Sequence, residues 1–192
     1  MASATFSLLM YPSDISARIS LLLSSSKIPL HRGAIGSGGD KLPPQAKLGG
    51  PLSYCVDVVE FRGHPNVRAE HSTTLEVTRD EFLTSRGDCI VGVAGSKGAS
   101  GIDECVKRVL REGGRLVAVL LVEGGLFDYV VAEGSSLMTF SETRKIIIRR
   151  STYVDGSTIG IRADKAAKDI RRDVVEALKQ GRRGYLVLIA IP

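Results

Sequence analysis

A chain of 192 residues, 43% hydrophobic and 24% charged, is long enough for one domain with a real core and too apolar for wholesale disorder. No run reaches the roughly 18 apolar residues of a spanning helix, which excludes a membrane protein of that kind. The net charge is +5, but residues 1–50 hold five basic and two acidic side chains, so only +2 belongs to residues 51–192, and a pI near 9.2 is weak ground for a nucleic-acid partner.

Residues 1–50 contain nine Ser, six Gly and four Pro. Such a segment buries too little surface to offset its ordering entropy, so it is expected to be a disordered extension or linker. Three cysteines are too few and odd in number for a disulfide framework, which points to a reducing cytosol and a cytoplasmic protein.

The rest, residues 51–192, is expected to be one globular domain made of two tandem copies, 54–122 and 125–192. At an offset of 71 residues Asp57, Val59 and Gly63 meet Asp128, Val130 and Gly134. From about residue 88 the offset is 68, and ten identities follow without a gap, among them Gly92/Gly160, Lys97/Lys165, Ile102/Ile170, Leu110/Leu178 and Gly113/Gly181.

Each copy reads β-β-β-α-β. In the first, Val67 to Val77 alternates apolar and polar as a half-buried strand, Cys89 to Ala94 is a short apolar strand, and Leu116 to Val122 is a buried one. Ile102, Val106, Val109 and Leu110 form a helical stripe closed by Gly113-Gly114. Gly124-Gly125 is a tight turn into the second copy. There Asp164 is read as the helix N-cap, Gly181 as the helix end, and Tyr185 to Ile191 as the last strand. The fold class that follows is mainly β (α+β): an antiparallel sandwich or closed barrel of two β-β-β-α-β repeats about a pseudo-twofold, with two helices outside it.

Polar residues of one copy without a counterpart in the other need a reason beyond the fold. His64 falls opposite Ser135 and His71 opposite Glu142, while Asp88 and Cys89 lie where the first copy has three extra residues. Two imidazoles, a thiol and a carboxylate are donors for Zn or Fe, with His64, His71 and Cys89 as ligands. Alternatively, His64, His71, Asp88 and Cys89 supply an acid, a base and a nucleophile. No dense ligand spacing accompanies them. Arg62, Asn66 and Arg86 are the candidates to hold a small anionic ligand. Against this, His71 on an apolar face also reads as a hydrogen-bonded core histidine, and Cys89 and Cys105 as small core hydrophobes.

Gly95 to Gly101 lies between a strand and a helix without the P-loop spacing and reads as a flexible connection. Arg144, Lys145, Arg149, Arg150, Arg162, Lys165, Arg171, Arg172, Arg182 and Arg183 are interrupted by acids and read first as a solvated face.

The string Arg62-Gly63-His64-Pro65-Asn66-Val67, then His71, Thr73 to Glu76, and Arg86-Gly87-Asp88-Cys89-Ile90-Val91-Gly92-Val93 resembles an archaeal family catalogued as domain of unknown function 371. The resemblance spans about residues 54–192 and leaves out the first fifty. It implies a mainly β fold of sandwich type and an archaeal cytosolic setting, and it brings no established activity and no catalytic residue. One departure stands out: Ala94-Gly95-Ser96-Lys97 occurs where an Ala-Asp-Lys sequence like that at Ala163 is expected.

Three functions compete. The leading one is an enzyme or ligand-binding protein with its site in the first copy, and whether it catalyses anything is open. The second is a non-catalytic module that docks nucleic acid or a protein through the Arg-rich second copy. The third is a homodimer through an exposed strand edge.

Overall fold

The computed structural model describes residues 54–192; the expected extension at 1–50 lies outside the described residues. The elements run β1 (Cys55–Arg62), β2 (Thr74–Thr78), β3 (Ile90–Gly92), α1 (Glu104–Arg111), β4 (Arg115–Val122), β5 (Leu126–Glu133), β6 (Lys145–Arg149), β7 (Thr158–Gly160), α2 (Arg172–Lys179) and β8 (Arg183–Ile191). A single 3₁₀ turn precedes each helix, at Ala99–Gly101 and Ala167–Asp169.

Two four-stranded sheets result. One has the order β1-β8-β4-β5 and is antiparallel throughout; the other has the order β3-β2-β6-β7, antiparallel at its centre and parallel at both margins. The alternative of a closed barrel is therefore corrected. The backbone forms two sheets whose outermost strands, β1 and β5 in one and β3 and β7 in the other, share no ladder; a single bridge at each margin, Arg62 with Val93 and Glu133 with Ile161, is all that links them. Strands β3 and β7 are three residues long, too short to carry a continuous ladder around a barrel.

The strand partners explain why neither half stands alone. In the first sheet β1 pairs with β8, and β4 with β5 and β8, and in the second β2 pairs with β6, so four of the six ladders join residues 54–122 to residues 125–192; the other two, β2 with β3 and β6 with β7, are counterparts of each other. One apolar cluster receives Val59 and Phe61 from β1, Leu116 and Leu120 from β4, Ile146 and Ile148 from β6, Leu186 and Leu188 from β8, and Val106, Leu110, Val174 and Leu178 from the helices. Each helix adds one buried face to this cluster and keeps the other exposed.

Local chemistry sets the ends of these elements. Gly124 and Gly125 sit at φ +97° and +83°, a turn between β4 and β5 that only glycine enters freely. Gly113 (+86°) and Gly181 (+76°) end the helices as expected. Three local readings are corrected. The strand expected over Val67–Val77 is confined to Thr74–Thr78, because Ala69 takes a left-handed φ of +50° and the Glu70 and His71 N–H groups donate to the Asp88 carbonyl rather than to a neighbouring strand. Asp164 does not cap α2, which starts later; its carboxylate accepts instead from the Val131 N–H at 2.8 Å. Gly95 to Gly101 is tightly held: a methyl group on Gly98 would lie 2.3 Å from the Thr143 carbonyl.

The cysteine reading also changes. Cys55 and Cys105 form a disulfide across β1 and α1, with Cα atoms 5.7 Å apart, and only Cys89 is free. Counting to three missed it because one pair plus one odd thiol satisfies the geometry as well as three thiols do. Among the described residues no helix is long and apolar enough to cross a membrane.

Candidate functional site

The two histidines hold turns through one ring nitrogen each. His71 Nδ1 accepts from the N–H groups of Thr73 and Thr74, at 3.3 and 3.0 Å. Glu142, opposite it in the second half, accepts from the Arg144 N–H at 2.9 Å. His64 Nδ1 accepts from the Asn66 N–H at 3.1 Å, and Ser135, opposite it, accepts from the Leu137 N–H at 3.3 Å. Residues unlike in type are alike in task, each closing a turn by accepting a backbone N–H two residues on. Because Nδ1 accepts, the neutral His64 ring carries its proton on Nε2.

Cys89 and Glu76 form a separate, half-sealed pair. Cys89 Sγ donates to Glu76 Oε2 at 3.5 Å, and Glu76 is 5% exposed. Burial, then the Glu76 carboxylate, push the Cys89 thiol up to about 12, so it stays protonated at neutral pH and is a poor nucleophile. Burial likewise raises the Glu76 carboxyl, against the opposing pull of Lys145. Asp88 is used through its backbone carbonyl, which takes the Glu70 and His71 N–H groups. Arg86 is exposed on the loop before β3, and Asn66 spends its amide on the Leu83 carbonyl at 2.8 Å. Among the described residues no group of three or more His, Cys, Asp or Glu side chains stands together as a metal would need, so the Zn or Fe expected on His64, His71 and Cys89 finds no ligand set there.

What the first half does gather is an open groove of about 570 Å³ along the outer edge of β1, lined by Glu60, Arg62, His64, Glu81, Ala94 and Ser96 among others. Arg62 exchanges backbone hydrogen bonds with Val93, and Ser96 donates its N–H to the Glu60 carbonyl at 2.8 Å while its Oγ accepts from the Glu60 N–H at 3.1 Å. The Ser96 hydroxyl hydrogen, the His64 Nε2–H and the Arg62 guanidinium are left as donors at one place. Arg62 has no carboxylate partner among the described residues, and Glu60 is drawn to Arg183 at 3.4 Å. Exposed Phe82 lies edge-on to His64, with ring centroids 6.3 Å apart.

The second half closes the same place. Glu133 exchanges backbone hydrogen bonds with Ile161 as Arg62 does with Val93. Arg162 then stands where the first half has Ala94, with a φ of +49° beside +53°, and its guanidinium donates to Glu133 Oε2 at 2.9 Å. The sequence held this signal: at the offset of 68 residues Ala94 falls on Arg162 and Ser96 on Asp164. An alanine carries no reactive group, so residue type alone does not mark the position.

The basic residues of the second half are spent on neighbours. Arg144 pairs with Asp80, Lys145 with Glu76, Arg149 with Asp155, Arg150 with Asp169, Lys165 with Asp128, and Arg171 with Asp173. Arg172 donates to the Ala69 and Arg68 carbonyls and Arg182 to Gln180. Such a surface offers few cations for phosphates.

A family model described as "Domain of unknown function (DUF371)" matches residues 59–191. A similar curated protein is "Uncharacterized protein MJ0206" of the archaeon Methanocaldococcus jannaschii, 36% identical over 125 residues, which cover 65% of this chain and 92% of that one.

Proposed function

Starting from the fact that the chain belongs to the DUF371 family, we propose that it is a binding protein for a small anionic ligand, held in the groove along β1 of the first half. The observation that carries the reading is the exchange of a closed ion pair, Glu133 with Arg162, for a free Arg62 facing Ala94. A cation without a carboxylate partner, beside two further donors, favours an oxyanion such as a phosphate or carboxylate. Glu60 and Glu81 on the rim suit hydroxyl or amino groups on the rest of the ligand. The frame behind this reading is a β sandwich of two repeats about a pseudo-twofold, in which the second repeat keeps the fold and the first opens it. The strand orders, which read the same when each element of one half is exchanged for its counterpart, support that frame.

The test is an amide-resolved NMR titration of the full chain with inorganic phosphate and, separately, pyrophosphate. Saturable shifts at Arg62, Ala94 and Ser96 that vanish in Arg62→Ala are expected. Saturable shifts confined to other residues, or none up to tens of millimolar, would sink the reading.

A further inference from the structure

We propose that the Cys55–Cys105 disulfide is a reversible thiol–disulfide exchange site whose co-reactant is a small or protein-borne dithiol. It is independent of the groove and of any ligand there.

The second half builds the same joint without such a bond. In the first half the Asp57 carboxylate ties β1 to the approach of α1, accepting from Lys97 Nζ at 2.5 Å and from the Asp103 N–H at 2.9 Å. In the second half Asp128 makes the same tie for β5, accepting from Lys165 Nζ at 2.5 Å and from the Arg171 N–H at 3.0 Å. There Leu126 and Asp173 occupy the places of Cys55 and Cys105. The same joint is thus held twice by a carboxylate and once, in addition, by sulfur.

The surroundings of the two sulfurs are unequal. Cys55 opens an edge strand and Cys105 is the second residue of α1, and both are half-buried, so neither is sealed in the core. Arg108 Nη2 lies 3.7 Å from Cys105 Sγ. The other charges around Cys105 are Glu104 and Arg111, which line the same hollow, and Asp103 at the helix cap. Glu104 is taken by Lys107 at 2.8 Å and Arg111 at 3.8 Å, and Asp103 caps the helix through the Cys105 N–H. Arg108 has no carboxylate partner among the described residues and is left for the sulfur. A shallow hollow of about 470 Å³ bounded by Glu104, Cys105, Arg108 and Arg111 opens the Cys105 side of the bond to solvent, and half-buried Cys55 at the start of the edge strand opens the other side.

The exchange follows from that inequality. An incoming thiolate attacks Cys55 Sγ, the S–S bond breaks, and its electron pair leaves on Cys105 Sγ beside the Arg108 guanidinium, which stabilises the departing thiolate. The mixed disulfide on Cys55 is then attacked by the second thiol of the reductant, which leaves as a disulfide. Two electrons and two protons pass from the dithiol to the two cysteines, and the reverse sequence reforms the bond. Cys89, kept protonated beside Glu76, does not compete in either direction.

The experiment equilibrates the full chain in mixtures of reduced and oxidised dithiothreitol, traps thiols with iodoacetamide and locates them by mass spectrometry. Cys55 and Cys105 are expected to open together without denaturant and to close again on return to the oxidised buffer, with Cys89 unlabelled and the far-ultraviolet circular dichroism unchanged. In the reduced protein at pH 7, Cys105 is expected to alkylate at least tenfold faster than Cys55; Arg108→Ala should slow it several-fold and Arg108→Lys restore most of the rate. A bond that opens only in denaturant, a fold lost on reduction, a faster Cys55, or a Cys105 rate indifferent to Arg108→Ala would each overturn the proposal.

Discussion

The joint between strand and helix is built twice in this protein, and comparing the two versions separates what the fold requires from what has been added. Residues 125–192 show the plain version: Asp128 anchors Lys165 and the Arg171 N–H, Glu133 and Arg162 close the strand edge, and no cysteine is present. Residues 54–122 repeat the anchor with Asp57 and Lys97 but replace the closing pair by Arg62 and Ala94 and add a disulfide. Both departures fall on β1 and its approach to α1. A difference placed on an edge strand changes the accessible surface at small cost to the core, since the core face of β1 (Val59, Phe61) is kept.

The largest effects are expected where the halves grip each other. A methyl group on Gly63 would lie 1.9 Å from the Leu178 carbonyl oxygen of α2, and one on Gly134 would lie 2.1 Å from the Leu110 carbonyl oxygen of α1. Backbone oxygen inside a packed helix cannot step aside as a side-chain end can. Gly63→Ala and Gly134→Ala should each cost about 3 kcal/mol, the upper part of the range for overpacked cores. Urea unfolding checks this, and clearly unequal losses would break the equivalence of the two grips.

Next comes the anchor. Asp128→Ala removes a carboxylate that is only 4% exposed together with its three hydrogen bonds and leaves Lys165 without its partner, for an expected loss of about 3 kcal/mol. Asp57→Ala removes the matching three while the Cys55–Cys105 bond still ties β1 to α1, and should cost about 2 kcal/mol. Measured in the reduced protein, so that the disulfide does not mask the lost tie, the two losses should converge; a persistent gap would show that the second anchor carries more of the fold.

How much of this was legible beforehand depends on what kind of information a residue carries. Periodicity and the offset identities placed the strands around Leu116 and Leu186 and both helices, because apolar spacing is a local property. The glycines at 113, 124, 125 and 181 marked their turns for the same reason. The strand at Val67 failed because Ala69 enters a left-handed conformation that no local rule assigns to alanine, and the barrel failed because strand partners are set by long-range packing. The site reading weighted unmatched residue types, yet His64 and His71 share their tasks with Ser135 and Glu142. The difference that opens the groove is the loss of a side chain at Ala94, and the disulfide joins residues 50 apart in sequence, which spacing alone does not pair.

The groove can be closed by moving the second half's solution into the first. Arg62→Glu with Ala94→Arg recreates the Glu133–Arg162 pair at a backbone that already holds Arg162 in the same left-handed conformation. The double variant should change stability by less than about 1 kcal/mol, as expected for an exposed pair, and should abolish the phosphate-induced amide shifts. Ala94→Arg alone places two guanidiniums together and should be the less stable variant of the two. Retained shifts in the double variant would place the anion elsewhere.

The smallest effect is a pH dependence carried by Glu76, which the second half lacks because Ile147 stands in its place. Burial raises the Glu76 carboxyl above its ordinary value of 4.5. A carboxyl raised in the folded state favours folding only while protonated: that contribution is full below about 4.5 and is lost as pH rises through the folded value. Glu76→Gln keeps the shape and an acceptor for the Cys89 thiol but cannot ionise. Its stability relative to the native chain should therefore be level near pH 4 and should improve as pH rises above 4.5, reaching a plateau once the native carboxyl is ionised. Denaturant midpoints from pH 4 to 8 measure this. A variant that loses ground with rising pH would mean that Lys145, 3.9 Å away, more than compensates the burial of the charge.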